Sequence, residues 1–141
     1  MPDKSIILRC EAKGLRMTGQ RRVIAQVLEQ EDGHPDAEEI YAKAARIDSA
    51  ISLATVYRTV KLFFELGILE RLEFGDGRAR YEDADRAHHD HLFDLDSGAV
   101  IEFVDPDLEI LQEKIARKLG YRLTGHKMEL FGVRIEADTN D

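Results

Sequence analysis

Residues 52 to 67 read SLATVYRTVKLFFELG, and most of the fold of the first half of the chain follows from them. Ser52 suits an N-cap, and the apolar residues after it recur at helical spacing, so we predict a helix from Leu53 to Leu66 that ends at Gly67. The other side of this helix carries Thr55, Tyr57, Arg58 and Lys61. These groups suit a DNA recognition helix, because arginine reads guanine edges or phosphates and aromatic or methyl groups pack on thymine methyls.

A hairpin follows this helix. Residues 68–74 and 78–82 flank Gly75-Asp76-Gly77, which is a turn signature. Three or four short helices followed by such a hairpin are typical of a winged helix, in which the fourth helix, here Leu53 to Leu66, enters the major groove. The basic wing residues Arg78 and Arg80 are then expected to touch the DNA backbone or the minor groove.

Three helices are predicted before this one. The first covers roughly residues 4–13, the second is capped by Thr18, and the third runs from a capping box at Asp36 to about Arg46. Arginines cluster at the start of the second helix: Arg16, Arg21 and Arg22. They are either a solvated face or a phosphate clamp near a helix N-terminus.

Three of the five histidines lie in the stretch Ala87-His88-His89-Asp90-His91-Leu92. In an extended strand His89 and His91 share one face, while His88 and Asp90 share the other. The stretch therefore offers two half-built metal sites, since imidazole and carboxylate are ligands for Zn, Fe or Mn. The alternative is a solvated polar loop that happens to be rich in histidine.

The second half has a different pattern. Strands are predicted at 88–95 and 99–104, then an amphipathic helix from Pro106 to Gly120, and a last strand or pair of strands that covers 121–135. We expect this small core with an exposed sheet edge to dimerise. The fold class is therefore α+β, with an N-terminal winged-helix DNA-binding domain at 1–83 and a C-terminal α/β dimerisation domain at 84–141 that binds metal.

Composition limits the possible functions. The chain has 141 residues, a net charge of −8 and a pI near 5.1, which argues against generic polyanion binding but permits a local basic patch. Cys10 is the only cysteine, so neither a disulfide framework nor a zinc site built on cysteines is expected. No apolar run approaches the ~20 residues of a membrane span and no signal peptide is evident, so we expect a cytoplasmic protein without a membrane partner.

With these residues in view, the chain resembles the ferric uptake regulator (Fur) family of bacterial metal-responsive repressors. The resemblance rests on Leu53-Ala54-Thr55-Val56-Tyr57-Arg58, on His88-His89-Asp90-His91 and on Gly98-Ala99-Val100-Ile101-Glu102-Phe103, and it covers nearly the whole chain from Gly14 onward. It implies a homodimer that binds palindromic operators in double-stranded DNA when Fe(II) is bound, and that represses genes of iron homeostasis.

The resemblance also implies site residues. The regulatory metal site would consist of His34, Glu82, His89, His91 and Glu102. The second site would consist of His88, Asp90, Glu109 and His126. The DNA-binding residues would be Arg16, Arg21, Ser52, Thr55, Tyr57 and Arg58. Because His34 and Glu82 precede the hinge and the other regulatory ligands follow it, bound metal would lock the two domains at one angle.

The chain departs from the common family pattern at one place. Many relatives have a Cys-x-x-Cys after the histidines, and here those positions are Asp94 and Ser97. The structural zinc site should therefore be absent, which leaves at most two metals per chain.

Other readings remain open. Nitrogen and oxygen ligands suit Fe(II) or Mn(II), and Zn(II) can bind the same groups in vitro, so a manganese-responsive regulator is the close alternative. A non-haem metalloenzyme would need an open coordination position beside a substrate pocket, whereas both sites here can be filled by protein ligands. A metal-storage protein would leave the recognition helix unexplained. We therefore expect no enzyme activity.

Overall fold

The computed structural model describes residues 5–86 and 89–136. Within these ranges the chain forms five helices and five strands in an α+β fold, which confirms the predicted class. The helices are α1 Ile6–Ala12, α2 Gly19–Glu29, α3 Ala37–Ile47, α4 Leu53–Glu65 and α5 Pro106–Lys118. The strands are β1 Leu69–Glu73, β2 Ala79–Asp83, β3 Asp90–Asp94, β4 Val100–Phe103 and β5 Glu129–Gly132.

The chain divides into two compact units, Met1–Arg86 and Ala87–Asp141. The first unit holds α1 to α4 and the hairpin of β1 and β2, in the order of a winged helix. The second unit holds the remaining three strands and α5. The domain boundary after residue 83 stays a prediction from the sequence.

The helices of the first unit start where their caps predict. The side chains of Thr18, Asp36 and Ser52 each accept a hydrogen bond from the backbone N–H three residues later. The apolar stripe predicted for α4 consists of Leu53, Val56, Val60, Phe63 and Phe64. Of these, Val56, Val60 and Phe63 are buried in one core with α2, α3 and β1, whereas Leu53 is only partly buried and Phe64 is 43% exposed. These caps and this stripe leave the predicted DNA-reading side of α4 on the surface.

The turn before α3 is attached to the hairpin. Pro35 accepts a backbone hydrogen bond from Tyr81 at 2.9 Å, and Asp36 forms an isolated antiparallel bridge with Arg80. The segment therefore runs beside β2 as a short third strand. This pairing fixes the backbone on which His34 lies against the strand that carries Glu82.

The second unit contains a three-stranded sheet in the order β4, β3, β5. Strands β3 and β4 are antiparallel, with His91 opposite Glu102, whereas β5 pairs with β3 in parallel. The predicted last strand is too long, because residues 121–128 are not in a strand. Tyr121 instead donates a backbone hydrogen bond to Ala116 at 2.8 Å, which closes the end of α5.

Helix α5 has no buried residue of its own in this chain, although it is amphipathic. Leu111, Ile115 and Leu119 all stay exposed on it. Among the described residues, no helix combines the length and the apolar character that crossing a bilayer requires.

The turn between β3 and β4 is closed by Asp94, one of the two positions at which many relatives carry cysteine. Its carboxylate accepts backbone hydrogen bonds from Asp96 at 2.9 Å and Ser97 at 3.2 Å. The hydroxyl of Ser97 and these two N–H groups hold the pKa of Asp94 below its usual value. A carboxylate therefore closes this turn, and the described residues include one cysteine, the buried free thiol Cys10.

Candidate metal centre and DNA-binding surface

The first unit presents one histidine and one carboxylate as a buried pair. His34 Nε2 lies 3.7 Å from Glu82 Oε1, and the two side chains are only 7% and 3% exposed. The backbone pairing of Pro35 with Tyr81 brings them together, because His34 and Glu82 flank that hydrogen bond. We name this pair the first cluster.

The second unit presents three more donors at the edge shared by β3 and β4. His89 Nε2 lies 3.2 Å from Glu102 Oε2, and the rings of His89 and His91 meet edge to face with centroids 4.8 Å apart. The antiparallel register sets His91 opposite Glu102. We name His89, His91 and Glu102 the second cluster.

Each cluster offers donor atoms that suit a first-row divalent metal. Within each cluster the candidate ligand atoms lie within 4.8 Å of one another. Metal bonds to imidazole nitrogen and carboxylate oxygen measure about 2.0 to 2.2 Å, so ligands around one ion lie up to about 4.3 Å apart. Small side-chain movements would bring either set into range, and nitrogen with oxygen donors suits Fe, Mn or Zn.

A separate group in the second unit consists of Asp90, Glu109 and His126. Its ligand atoms also lie within 4.8 Å of one another, and His126 Nε2 is 3.0 Å from Asp90 Oδ1. Asp90 is almost fully buried, at 1% exposure. His88, the fourth ligand that the resemblance implies here, lies outside the described residues.

Strand alternation separates the two groups of the second unit. Asp90 and His91 are neighbours in β3, yet Asp90 lies with His126 while His91 lies with His89. This separation follows from the alternation of side chains along an extended strand. The segment from His89 to His91 therefore contributes ligands to two distinct groups.

The start of α4 presents the DNA-binding candidates. Ser52 caps the helix, its hydroxyl lies 3.0 Å from that of Thr55, and Arg58 donates to the Thr55 hydroxyl at 3.1 Å. Tyr57 is 49% exposed. Two hydroxyls, a guanidinium and a phenol ring therefore lie on the outer side of the first two turns.

The arginines near α2 adjoin the same side of α4. Arg21, Thr55 and Arg58 line one groove of about 450 Å³ between the start of α2 and α4. Arg21 donates to the backbone carbonyl of Arg16 at 2.7 Å. The sequence analysis treated the arginines near α2 and the candidates on α4 separately. The packing of α2 on α4 brings the two groups of DNA-binding candidates to one surface.

The wing differs from the sequence-based expectation. Arg80 is buried, 2.6 Å from Asp76 and with its guanidinium over the Phe74 ring, so it cannot act as a surface cation. Arg78 is exposed but pairs with Asp36, whose carboxylate also caps α3. Burial by itself would raise the pKa of Asp36, but the Glu39 backbone N–H and the Arg78 guanidinium hold that pKa below its usual value.

Sequence reasoning missed the charged residues around the end of β2. Arg9 holds Asp83 through two hydrogen bonds of 2.8 and 2.6 Å, and Arg86 lies 3.4 Å from Glu82. The second pair could have been noticed, since an arginine four residues after a candidate ligand is readable from the sequence. The pair of Arg9 and Asp83 joins residues that are far apart in the chain, so no local sequence pattern indicates it.

Comparisons with known proteins point to one family. The Ferric uptake regulator family matches residues 12–131. A protein of Rhizobium leguminosarum bv. viciae named Ferric uptake regulation protein is 54% identical over 129 residues, which cover 92% of this chain and 91% of that protein. A solved structure described as a zinc-bound manganese uptake regulator is 52% identical, with a TM-score of 0.77, and covers 94% of this chain and 100% of its own. The structure of the Vibrio cholerae ferric uptake regulator is 40% identical, with a TM-score of 0.82, and covers 90% and 98%.

Proposed function

This chain belongs to the ferric uptake regulator family, and on that premise we propose that it is a repressor activated by Fe(II) that binds palindromic operators as a homodimer. Membership makes the chain a metal-responsive transcriptional regulator of iron homeostasis. The observation that carries the finer proposal is the presence of a His and Glu cluster in each unit. The metal, the operator and the ligand set are the parts that need experiments.

We propose that both clusters bind one ion at a regulatory site. His34 and Glu82 would come from the first unit, and His89, His91 and Glu102 from the second. Donor chemistry and chain order support this assignment, since Glu82 lies near the end of one unit and His89 near the start of the next. A divalent metal supplies the positive charge that holds the carboxylates and imidazoles together.

Such a ligand set explains how metal controls DNA binding. Ligands drawn from both units are all satisfied only in some arrangements of those units, and binding raises the population of those arrangements. The residues of the clusters thus act through the position of α4 and never touch the DNA themselves.

The second group would hold another ion within the dimerisation domain. We propose that His88, Asp90, Glu109 and His126 bind it. The proximity of Asp90, Glu109 and His126 supports a site that stiffens this unit. Up to two metals per chain follow from the two ligand sets.

The DNA surface of the proposal lies along α4. Arg16 and Arg21 would contact phosphates, while Ser52, Thr55, Tyr57 and Arg58 would contact base edges or the adjoining backbone. The exposure of Tyr57 and the shared groove of Arg21 and Arg58 support this division. A homodimer presents two copies of α4, which matches the two-fold symmetry of a palindromic operator.

Manganese is the second candidate for the regulatory metal. One solved structure at 52% identity is described as a manganese uptake regulator with zinc bound. Its similarity to this chain is close to the 54% of the Rhizobium protein named for ferric uptake. Nitrogen and oxygen ligands do not separate Fe(II) from Mn(II), and Zn(II) binds them in vitro, so availability in the cytoplasm would select the metal.

An enzyme and a metal-storage protein are the weaker alternatives for the function of this chain. The relatives are regulators, and we propose that this chain likewise has no enzyme activity. A storage protein would have no use for the exposed groups at the start of α4. We place the protein in the cytoplasm, where it would meet both DNA and the metal pool.

The deciding experiment is anaerobic binding of the chelator-treated protein to a labelled promoter palindrome at fixed salt, with Fe(II), Mn(II) and Zn(II) titrated separately. We expect binding that appears only with metal, with Fe(II) effective at concentrations found in cells. Binding that responds to Mn(II) but not to Fe(II) would favour the manganese alternative. Binding with no dependence on metal would refute the regulatory site.

A further inference from the structure

Glu82 has two oxygens with different neighbours in the first unit. Oε1 lies 3.7 Å from His34 Nε2, and Oε2 lies 3.4 Å from Arg86 Nη1. The Glu82 side chain is 3% exposed, whereas that of Arg86 is 36% exposed. A cation that reaches the solvent therefore lies against a buried carboxylate of the proposed regulatory site.

Other charged residues lie around the pair of Glu82 and Arg86. Arg9 takes the two neighbouring acids, with Asp83 at 2.6 Å and Asp85 at 3.2 Å. The backbone N–H of Arg86 donates to the Asp83 carbonyl at 3.2 Å, which holds the turn that points Arg86 back toward β2. The local backbone therefore places Arg86 beside the end of β2.

A buried carboxylate needs a compensating positive charge, because desolvation penalises the ionised form. Arg86 supplies that charge when metal is absent. A divalent ion at Glu82 supplies it instead when metal is present, and its charge repels the guanidinium. Metal and Arg86 therefore compete for one carboxylate.

We propose that Arg86 is a positioning residue that occupies Glu82 in the metal-free protein and so sets the metal concentration at which the regulator responds. This inference rests on the proposed function, because it needs Glu82 to be a metal ligand. Arg86 holds the Glu82 carboxylate in place, and it weakens metal binding by the free energy of the ion pair that must be broken. The metal concentration at which the regulator responds is then set by Arg86, a residue that does not itself bind the metal.

The variant Arg86→Gln removes the competing charge and keeps a side chain of similar length. We expect it to bind Zn(II) and Mn(II) tighter by about two- to fivefold in chelator competition without DNA, the range of a part-exposed ion pair. The metal concentration for half-maximal DNA binding should fall by the same factor. Arg86→Lys should stay near the wild-type value, and Arg46→Gln, on the exposed end of α3, serves as the control for net charge.

A spectroscopic measurement on the wild-type protein tests the same step directly. The Nε–H signal of Arg86, assigned by its loss in Arg86→Gln, should shift when diamagnetic Zn(II) is added. Unchanged metal affinity in Arg86→Gln, or weaker affinity with an unaltered unfolding midpoint, would overturn the inference. If Glu82→Gln still abolished the metal response, the proposed function would survive that result. No metal-dependent DNA binding by the wild type would instead refute the proposed function itself.

Discussion

At the scale of a single residue, His91 illustrates why substitutions at neighbouring positions of this chain should have different effects. It lies opposite Glu102 in the sheet and beside His89, whereas the adjacent Asp90 lies against His126. A strand can separate two metal sites in this way because successive side chains point to opposite faces. Substitutions one residue apart should therefore give different phenotypes.

We expect His91→Ala to abolish metal-stimulated DNA binding, since it removes a proposed ligand of the regulatory site. His126→Ala is the matched control, because it removes an imidazole from the other group and should leave most of the stimulation. The measurement is operator affinity with and without Mn(II) for both variants. A more damaging effect of His126→Ala would reverse the ranking of the two sites.

Arg58→Ala tests the DNA surface. We expect operator binding to weaken by about 1 to 3 kcal/mol, the usual loss for a base-contacting residue, while metal affinity and dimerisation stay unchanged. Arg46→Ala removes the same charge from an exposed position on α3 and controls for generic electrostatic attraction. Equal effects of the two variants would mean that Arg58 contributes only charge.

At the scale of elements, local signals predicted what local chemistry controls. As expected, α4 begins after Ser52 and ends before Gly67. Gly67 has a positive φ of 77°, which glycine adopts without strain. The burial of Arg80 and the parallel pairing of β5 were not predictable in this way. Each depends on a partner distant in sequence or on which side of a hairpin faces the core, and no short pattern encodes that.

The same limit applies to the candidate site. The histidine stretch and its two faces could be read from alternation, and a resemblance of motifs was needed for Glu82, Glu102 and Glu109. The bridge of Asp36 to Arg80, which brings His34 beside β2, had no signal in the sequence. Arg9 with Asp83 likewise joins residues far apart in the chain.

The attachment of α1 to β2 gives a dependence on pH. Burial would raise the pKa of Asp83, but hydrogen bonds from Arg9 and from the Asp85 backbone hold it below the ordinary value of 3.8. Because the folded state has the lower pKa, the pair stabilises the fold above about pH 4 and loses this contribution as the pH falls through the folded pKa.

We therefore expect Asp83→Asn to lower the free energy of unfolding at pH 7 by about 1 kcal/mol and to make stability fall less steeply in acid. Urea unfolding at several pH values between about 7 and 2 measures both effects. Asp96→Asn, at an exposed carboxylate, is the control. A parallel pH profile for Asp83→Asn and the wild type would contradict the assignment.

At the scale of the whole molecule, the second unit keeps a large apolar surface uncovered. Helix α5 exposes Leu111, Ile115 and Leu119, and β4 and β5 expose Ile101 and Phe131. Exposed apolar side chains of this size are typical of an interaction surface. A second copy of the chain would cover it in the proposed homodimer.

We expect Ile115→Glu to shift the protein toward monomer, because a carboxylate buried without a partner opposes association. Light scattering after size-exclusion chromatography gives the mass, and operator affinity should fall with the fraction of dimer. Leu8→Glu places the same charge on an exposed apolar position of the first unit and should leave the mass unchanged. Dimers of normal mass in Ile115→Glu would place the interface elsewhere.

The way in which Asp94 closes the turn between β3 and β4 affects how this turn responds to oxidants. Where a thiolate–zinc centre holds a turn, hydrogen peroxide or an electrophile can eject the metal and unfold the domain. Here a carboxylate and two backbone N–H groups hold the corresponding turn, and thiol chemistry cannot reach them. The fold of this turn therefore does not depend on a thiolate–zinc centre.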